Sequence, residues 1–156
     1  MIYPTNKKHF IKLIDFSKEL LKICDKIKVK PIIYGSYMLL DYTKNKKLKI
    51  NDIDFYIREK DLSKVIKVLK EKGINHDYSG KWHTLQVKKG NLKIEFDSLD
   101  FWYNGPKKLA KVNLNGKIVR ALSLEGLKHI YKKASETSKD NPEGNLRKYN
   151  SLLKVH

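Results

Sequence analysis

The sequence predicts an α/β domain, a mixed sheet of about four to six strands with helices on one face and at the ends. Three observations predict it. An apolar run, Pro31-Ile32-Ile33-Tyr34, breaks at Gly35-Ser36 into a helical pattern and returns as a second strand, Asn51-Asp52-Ile53-Asp54-Phe55-Tyr56-Ile57. Two later stretches, His83–Lys88 with Leu92–Asp97 and Val112–Leu114 with Ile118–Val119, flank glycine-containing turns as hairpin arms do. Apolar residues recur at threes and fours through Asn6–Ile27 and again after Leu122.

Taken in order, Asn6–Ile27 places Phe10, Ile14, Leu21 and Cys24 on one stripe beside Leu13, Leu20 and Ile27, with lysines on the opposite face. Such a helix before the first strand reads as core scaffold. Val29–Tyr34 is the first strand, with Pro31 near its start, where a missing donor is tolerable. Met38, Leu39 and Leu40 mark the helix that follows, and a lysine-rich loop (Lys44, Lys46, Lys47, Lys49) leads into the second strand. Asp61 reads as the cap of a helix carrying Val65, Ile66, Val68 and Leu69 and ended by Gly73. Ile74–Trp82 reads as irregular and polar. The first hairpin follows through Lys89-Gly90-Asn91, with Leu92, Ile94 and Phe96 pointing one way and Lys93, Glu95 and Asp97 the other. Phe101–Lys111 reads as a loop, and Asn115-Gly116 as a type I′ turn in the second hairpin. Ser123 caps a helix striped by Leu124, Leu127, Ile130 and Tyr131; Ser135–Asn145 is a polar linker; Leu146–Leu153 is a short final helix. No repeat or biased block divides the chain, so residues 1–156 read as one domain.

The formal net charge is +17, from 34 basic and 17 acidic residues, and arginine occurs only at positions 58, 120 and 147. A polyanionic partner such as RNA, DNA or a nucleotide accounts for that charge. A composition habit accounts for it equally, because the lysines are spread along the whole chain. The one cysteine, Cys24, excludes an internal disulfide and suits a reducing cytoplasm, with the residue itself as core filler. No apolar run approaches membrane-span length and no signal peptide is visible, so the expectation is a cytoplasmic protein without a membrane partner.

The chemistry concentrates between Tyr34 and Asp97. Strand alternation puts Asp52 and Asp54 on one face and Ile53, Phe55 and Ile57 on the other. Two close carboxylates repel unless a cation sits between them, and carboxylate oxygens are the ligands Mg²⁺ prefers. At Gly35-Ser36 a strand turns into a helix start, where free N–H groups and the helix dipole favour a phosphate. Glycine allows close backbone approach and the serine hydroxyl adds a donor.

Gly35, Ser36, Asp52 and Asp54, in that strand–turn–helix–strand setting, resemble the signature of the DNA polymerase beta-type nucleotidyltransferase superfamily. The spacing from Ser36 to Asp52 is slightly longer than in its most compact members. The resemblance implies a third carboxylate on a later strand, for which Glu95 and Asp97 are the candidates and Asp100 a weaker one. It implies a nucleotidyltransferase that moves a nucleoside monophosphate from an NTP such as ATP to a hydroxyl, with two Mg²⁺ ions (Mn²⁺ as the substitute) held by Asp52, Asp54 and Glu95 or Asp97, and the triphosphate on Gly35 and Ser36. The tail from Ala121-Leu122-Ser123 onward resembles the end of small toxin-type and antibiotic-modifying nucleotidyltransferases, in which basic residues of the closing helices reach the nucleotide; Lys128, Lys132 and Lys148 are the counterparts here, beside the plainer reading of a solvated helix face.

The acceptor expected from the sequence is RNA, because of the charge and of Lys44, Lys46, Lys47 and Lys49 just before the second strand. A cationic acceptor needs an acidic pocket beyond the metal ligands, and the sequence suggests none. His83 beside Trp82 reads as a satisfied edge histidine, or alternatively as a donor to a leaving group. Trp82, Trp102, Tyr103, Tyr34 and Tyr56 are core or rim residues, or base-stacking platforms. The alternatives to catalysis are a nucleotidyltransferase-fold module that only binds nucleic acid or a partner protein, and a metal-free lysine-rich RNA-binding domain, which lacks an RNA-binding signature. These residues do not specify the oligomeric state.

Overall fold

The structure is a computed structural model that describes all 156 residues. A twenty-residue helix, α1 (Lys7–Lys26), is followed by β1 (Ile32–Tyr34), α2 (Ser36–Thr43), β2 (Ile53–Ile57) and α3 (Glu59–Glu71). Then come β3 (His76–Ser79), β4 (Thr84–Lys89), β5 (Leu92–Ser98) and a short α4 (Leu99–Trp102). The chain closes with β6 (Leu109–Leu114), β7 (Lys117–Leu122), α5 (Leu124–Thr137) and α6 (Pro142–Leu153). All seven strands join one sheet in the order β3-β4-β5-β2-β1-β7-β6. It is mixed: β2 runs parallel to β5 and β1 parallel to β7, while the other neighbours are antiparallel.

Alternation sorts the central strands. Ile33, Phe55, Ile94 and Phe96 are fully buried and join the main core with Phe10, Leu13 and Ile14 of α1 and Leu62, Val65 and Leu69 of α3. Phe55 and Phe96 stack with ring centroids 5.4 Å apart. Each such side chain contributes roughly 1.5–3 kcal/mol by leaving water. The opposite face carries a small apolar cluster, Ile32, Tyr56 and Leu122, with Tyr34, Tyr103 and Ile130 packed around it. Cys24 is core filler as expected, and burial pushes its thiol up to about 12. No helix is long and apolar enough to cross a membrane.

The sheet has one strand more than the expected upper count. The extra strand is β3, in the stretch read as irregular. It pairs only with β4, through His76↔Val87 to Ser79↔Thr84. As an edge strand with Asp77 and Tyr78 exposed, it buries no face, so no hydrophobic alternation betrays it. The start of α3 also differs. Its capping partner comes from a distant segment: Asp100 Oδ2 accepts the Glu59 N–H at 2.7 Å, while Asp61 lies inside the first turn. Asp100 is not among the carboxylates that converge on β2 and β5. The α4 turn, Leu99–Trp102, takes in the first two residues of the stretch 101–111 read as loop and is capped by the Ser98 hydroxyl. The final helix begins at Pro142 rather than Leu146, because proline suits the first turn and the Asn141 side chain accepts from the Gly144 N–H. The second hairpin turns at Asn115 and Gly116, both at positive φ, as a type I′ turn requires.

Candidate active site

Three carboxylates meet on the face opposite α1. Asp54 stands on β2, and Glu95 and Asp97 on the neighbouring β5; one oxygen from each lies within 4.8 Å of the others. Strand pairing causes the convergence. β2 and β5 are parallel and in register, with Asp54 beside Glu95 and Tyr56 beside Asp97. Burial raises the Asp54 carboxyl well above the usual carboxylate range, and the charges of Asp52, Glu95 and Asp97 push it further. Burial also raises Asp97 to about 7, Glu95 adding to the effect and Tyr34 and Thr84 opposing it.

The two β5 carboxylates are held differently. Asp97 is 4% exposed, and both its oxygens are engaged: Oδ2 accepts from the Tyr34 hydroxyl and Oδ1 from the Thr84 hydroxyl at 2.7 Å. Glu95 is half-buried and takes one long contact, 3.3 Å, from Gln86 Nε2. Thr84 and Gln86 sit directly opposite Asp97 and Glu95 on β4. The alternation of Thr84 and Gln86 in the first hairpin arm was the available signal for these supports. Asp52 precedes β2 instead of lying on it. It is close enough to act electrostatically on Asp54, and it pairs with Lys93 at 3.4 Å.

Gly35 forms the wall behind Asp54. Its φ of +72° and ψ of −148° lie in a region open essentially to glycine. A Cβ there would stand 3.2 Å from Asp54 Cγ and closer still to Oδ2. Ser36 is the first residue of α2, and no side chain caps that helix, so its leading N–H groups face away from the helix without intrahelical partners. The sequence motif therefore folds with the bare helix start against the carboxylate cluster. Burial raises the Tyr131 hydroxyl of α5, and the charges of Asp54 and Asp52 add to the effect. The Lys148 ammonium lies 5.4 Å over the Tyr131 ring centroid. Lys128 is paired with Glu125 and Lys132 is exposed.

Glu95 also lines a cavity of about 440 Å³ with Asp77, Ser79, Trp82, Thr84, Gln86, Trp102 and Asp140. Trp82 and Trp102 are 52% and 40% exposed and stack 6.1 Å apart, and Trp102 Nε1 donates to the Trp82 carbonyl. The sequence suggested no acidic pocket beyond the metal ligands. That expectation is corrected: β3 delivers Asp77 and the α5–α6 connection delivers Asp140 to one cavity with Glu95. Tyr34 and Tyr56 are not free platforms either. They stack on each other at 3.8 Å, inside the second apolar cluster. His83 is the satisfied edge histidine, with Nδ1 on Glu59 Oε1 at 2.8 Å and its ring on Phe101. The loop lysines 44, 46, 47 and 49 are all exposed, Lys44 pairing with Asp41 at 3.6 Å.

The chemistry of the donor set fits a divalent ion. Three carboxylates this close cannot all ionise at neutral pH without a cation, and hard oxygen donors suit Mg²⁺ or Mn²⁺. No protein-family model matches the sequence, and curated proteins give no sequence match. Solved structures do resemble the chain. ANT(2'')-Ia, in complex with adenylyl-2''-tobramycin, superposes with a TM-score of 0.63 over 90% of this chain and 87% of that one, at 16% identity. The lincosamide antibiotic adenylyltransferase LnuA, lincomycin-bound, gives 0.60 over 99% of both chains at 14% identity. The Megavirus polyadenylate synthase gives 0.57 over 95% of this chain but 31% of its own, at 14% identity. A likeness at these identities is one of fold, and together with the mixed α/β sheet it shows that this chain shares the fold of these nucleotidyltransferase structures.

Proposed function

We propose that the chain is a divalent-metal-dependent nucleotidyltransferase that moves a nucleoside monophosphate from an NTP to a hydroxyl of an acceptor. The observation that carries the reading is the Asp54–Glu95–Asp97 cluster lying against the glycine-opened start of α2. Asp54 and Glu95 would hold the ion, with Asp52 at its edge and Asp97 behind. A bound Mg²⁺ supplies positive charge against the triphosphate and polarises its oxygens.

The remaining roles fall to the chain's own groups. The N–H groups at Gly35-Ser36 and the Ser36 hydroxyl hold terminal phosphate oxygens, and Lys148, over the Tyr131 ring, is a candidate cation from α6. The acceptor hydroxyl approaches from the tryptophan cavity, which Glu95 borders. Its oxygen forms the new bond to the α-phosphorus as the bond to pyrophosphate breaks, and Glu95 takes its proton. Asp97, fixed by Tyr34 and Thr84, adds negative charge behind the ion without leaving its place.

The cavity favours a cationic, ring-bearing acceptor: Asp77 and Asp140 repel a polyanion and attract amines, and the paired tryptophans offer ring faces. Amino-sugar or amine-bearing small molecules have that chemistry, in keeping with tobramycin and lincomycin in the complexes of two structural neighbours. A second reading, an RNA end, is favoured by the +17 charge and the exposed lysines of the 44–49 loop. The test incubates the protein with each α-labelled NTP and Mg²⁺ against an aminoglycoside, a lincosamide and total RNA in parallel. Label transfer that Asp54→Asn abolishes supports the reaction, and the labelled arm identifies the acceptor class. No transfer to any acceptor, alongside metal-dependent NTP binding, would favour the binding-module alternative.

A further inference from the structure

Arginine is scarce in this chain, with three residues against 31 lysines. Two of the three, Arg58 and Arg120, meet at a cavity of about 690 Å³ that also presents Lys30 and Lys107. The cavity lies at the opposite end of the β1–β2 pair from Asp54 and its neighbour Glu95: Arg58 follows β2 four residues after Asp54, about 13 Å along an extended chain, and the Tyr56 ring, beside Asp97, forms the wall between the two. Arg120 comes from β7, where it pairs in register with Ile32, and Lys107 from the loop after α4.

A lysine-rich composition explains lysines anywhere, but it does not explain two rare arginines at one cavity. Both are held so that part of each guanidinium stays free. Arg58 uses Nε on Asp100 Oδ1 at 3.4 Å, which leaves both of its terminal nitrogens. Arg120 uses one terminal nitrogen on the Lys30 carbonyl at 2.6 Å, which leaves the other and Nε. Lys30 and Lys107 have no ion-pair partner, and Asp100, the cavity's one carboxylate, is committed to Arg58 and to the start of α3. Four cations around one concavity repel each other until an anion enters, and the guanidinium fork matches phosphate oxygens bidentately. The floor is apolar, from Ile32, Leu99 and Leu109, and the half-buried Tyr103 ring stands beside it, tilted against Tyr56 at 5.7 Å and edge-on to His129 at 6.1 Å, so that neither ring is stacked face to face on it.

We propose that this cavity is a second nucleotide site, separate from the transfer centre, in which Arg58 and Arg120 bind the phosphate and the base lies on Tyr103. The site does not depend on the transfer reaction. The phosphate and base can come from a free nucleotide or from a residue of RNA, and the two sources are separable. With only three arginines, the Nε–Hε signals are few enough to assign by Arg58→Lys and Arg120→Lys. AMP titrated into metal-free wild-type protein should move the Arg58 and Arg120 signals saturably and leave Arg147 in place, and Asp54→Asn should give the same result. Each arginine-to-lysine variant should weaken AMP binding by about tenfold, because charge is kept and the fork is lost. Adenosine should not bind. A short oligoadenylate binding more tightly than AMP assigns the site to RNA; equal affinity assigns it to free nucleotides. Absent or non-saturating shifts, equal movement of all three arginines, or loss of the effect in Asp54→Asn would overturn the site. Inorganic phosphate binding as tightly as AMP would remove the base from it.

Discussion

Replacing Gly35 by alanine should destabilise the protein through two separable terms. The first is backbone strain: at φ +72° and ψ −148° a residue with a Cβ pays about 1–3 kcal/mol. The second is overlap, because the new methyl would be driven into the Asp54 carboxyl group, 3.2 Å from Cγ and 3.3 Å from Cβ with Oδ2 nearer still. Overpacking of this kind costs typically about 1–3 kcal/mol. Their sum is about 2–6 kcal/mol, a large part of a domain's total stability. Urea denaturation of metal-free wild type, Gly35→Ala, Asp54→Ala and the double variant separates the terms. Asp54→Ala removes the colliding carboxyl, so the double variant should be more stable than additivity allows by about 1–3 kcal/mol, leaving only the strain. Additive losses, or a Gly35→Ala variant within about 0.5 kcal/mol of wild type, would refute the close approach of Gly35 to Asp54.

The remaining predictions concern the acids, the cavity and the core. Burial raises Asp54 and Asp97, so the native state holds more protons than the unfolded chain; metal-free stability should therefore fall as pH rises from about 4 to about 7, and Mg²⁺ should offset the fall. Thermal melts across that range, with EDTA and with Mg²⁺, check the sign, and a stability that rises with pH would contradict it. Glu95→Gln should lower the rate of transfer by about 10²–10⁴-fold with little effect on melting temperature, whereas Asp97→Asn should also flatten the pH profile of the melts. Trp102→Ala should raise the KM for the acceptor and leave the KM for NTP unchanged, read by steady-state kinetics with each varied in turn. Phe96→Ala should cost about 3–5 kcal/mol in urea denaturation, since its ring is fully buried against Phe55.

The central part of the candidate site was legible because its geometry is local or periodic. Gly35, Ser36 and Asp54 follow from a strand that breaks into a helix, and Glu95 with Asp97 from two-residue alternation. Alternation does not tell which β5 carboxylate is buried, because that depends on Tyr34 and Thr84, which reach Asp97 across separate strands. The β3 edge was hidden because backbone pairing alone holds it, and with it went Asp77 and one wall of the cavity. Asp140 was hidden for another reason: it is brought in by the packing of α5 and α6, a tertiary event with no local code. The cap of α3 likewise comes from Asp100, forty-one residues away.

The in-register pairing of β2 and β5 has a consequence for how such a protein changes. The separation between Asp54 and Glu95 is fixed by the spacing of adjacent strands, about 4.8 Å in any sheet, and not by a loop. The cavity wall is built otherwise, from an edge strand with the turn that follows it, a turn of helix and an interhelical connection. Insertions or substitutions in those three segments can reshape what is admitted while the sheet keeps the carboxylates in place. The arrangement separates a rigid gauge from an interchangeable jaw, and it makes the segments around Asp77, Trp82, Trp102 and Asp140 the ones to randomise when a new acceptor is sought.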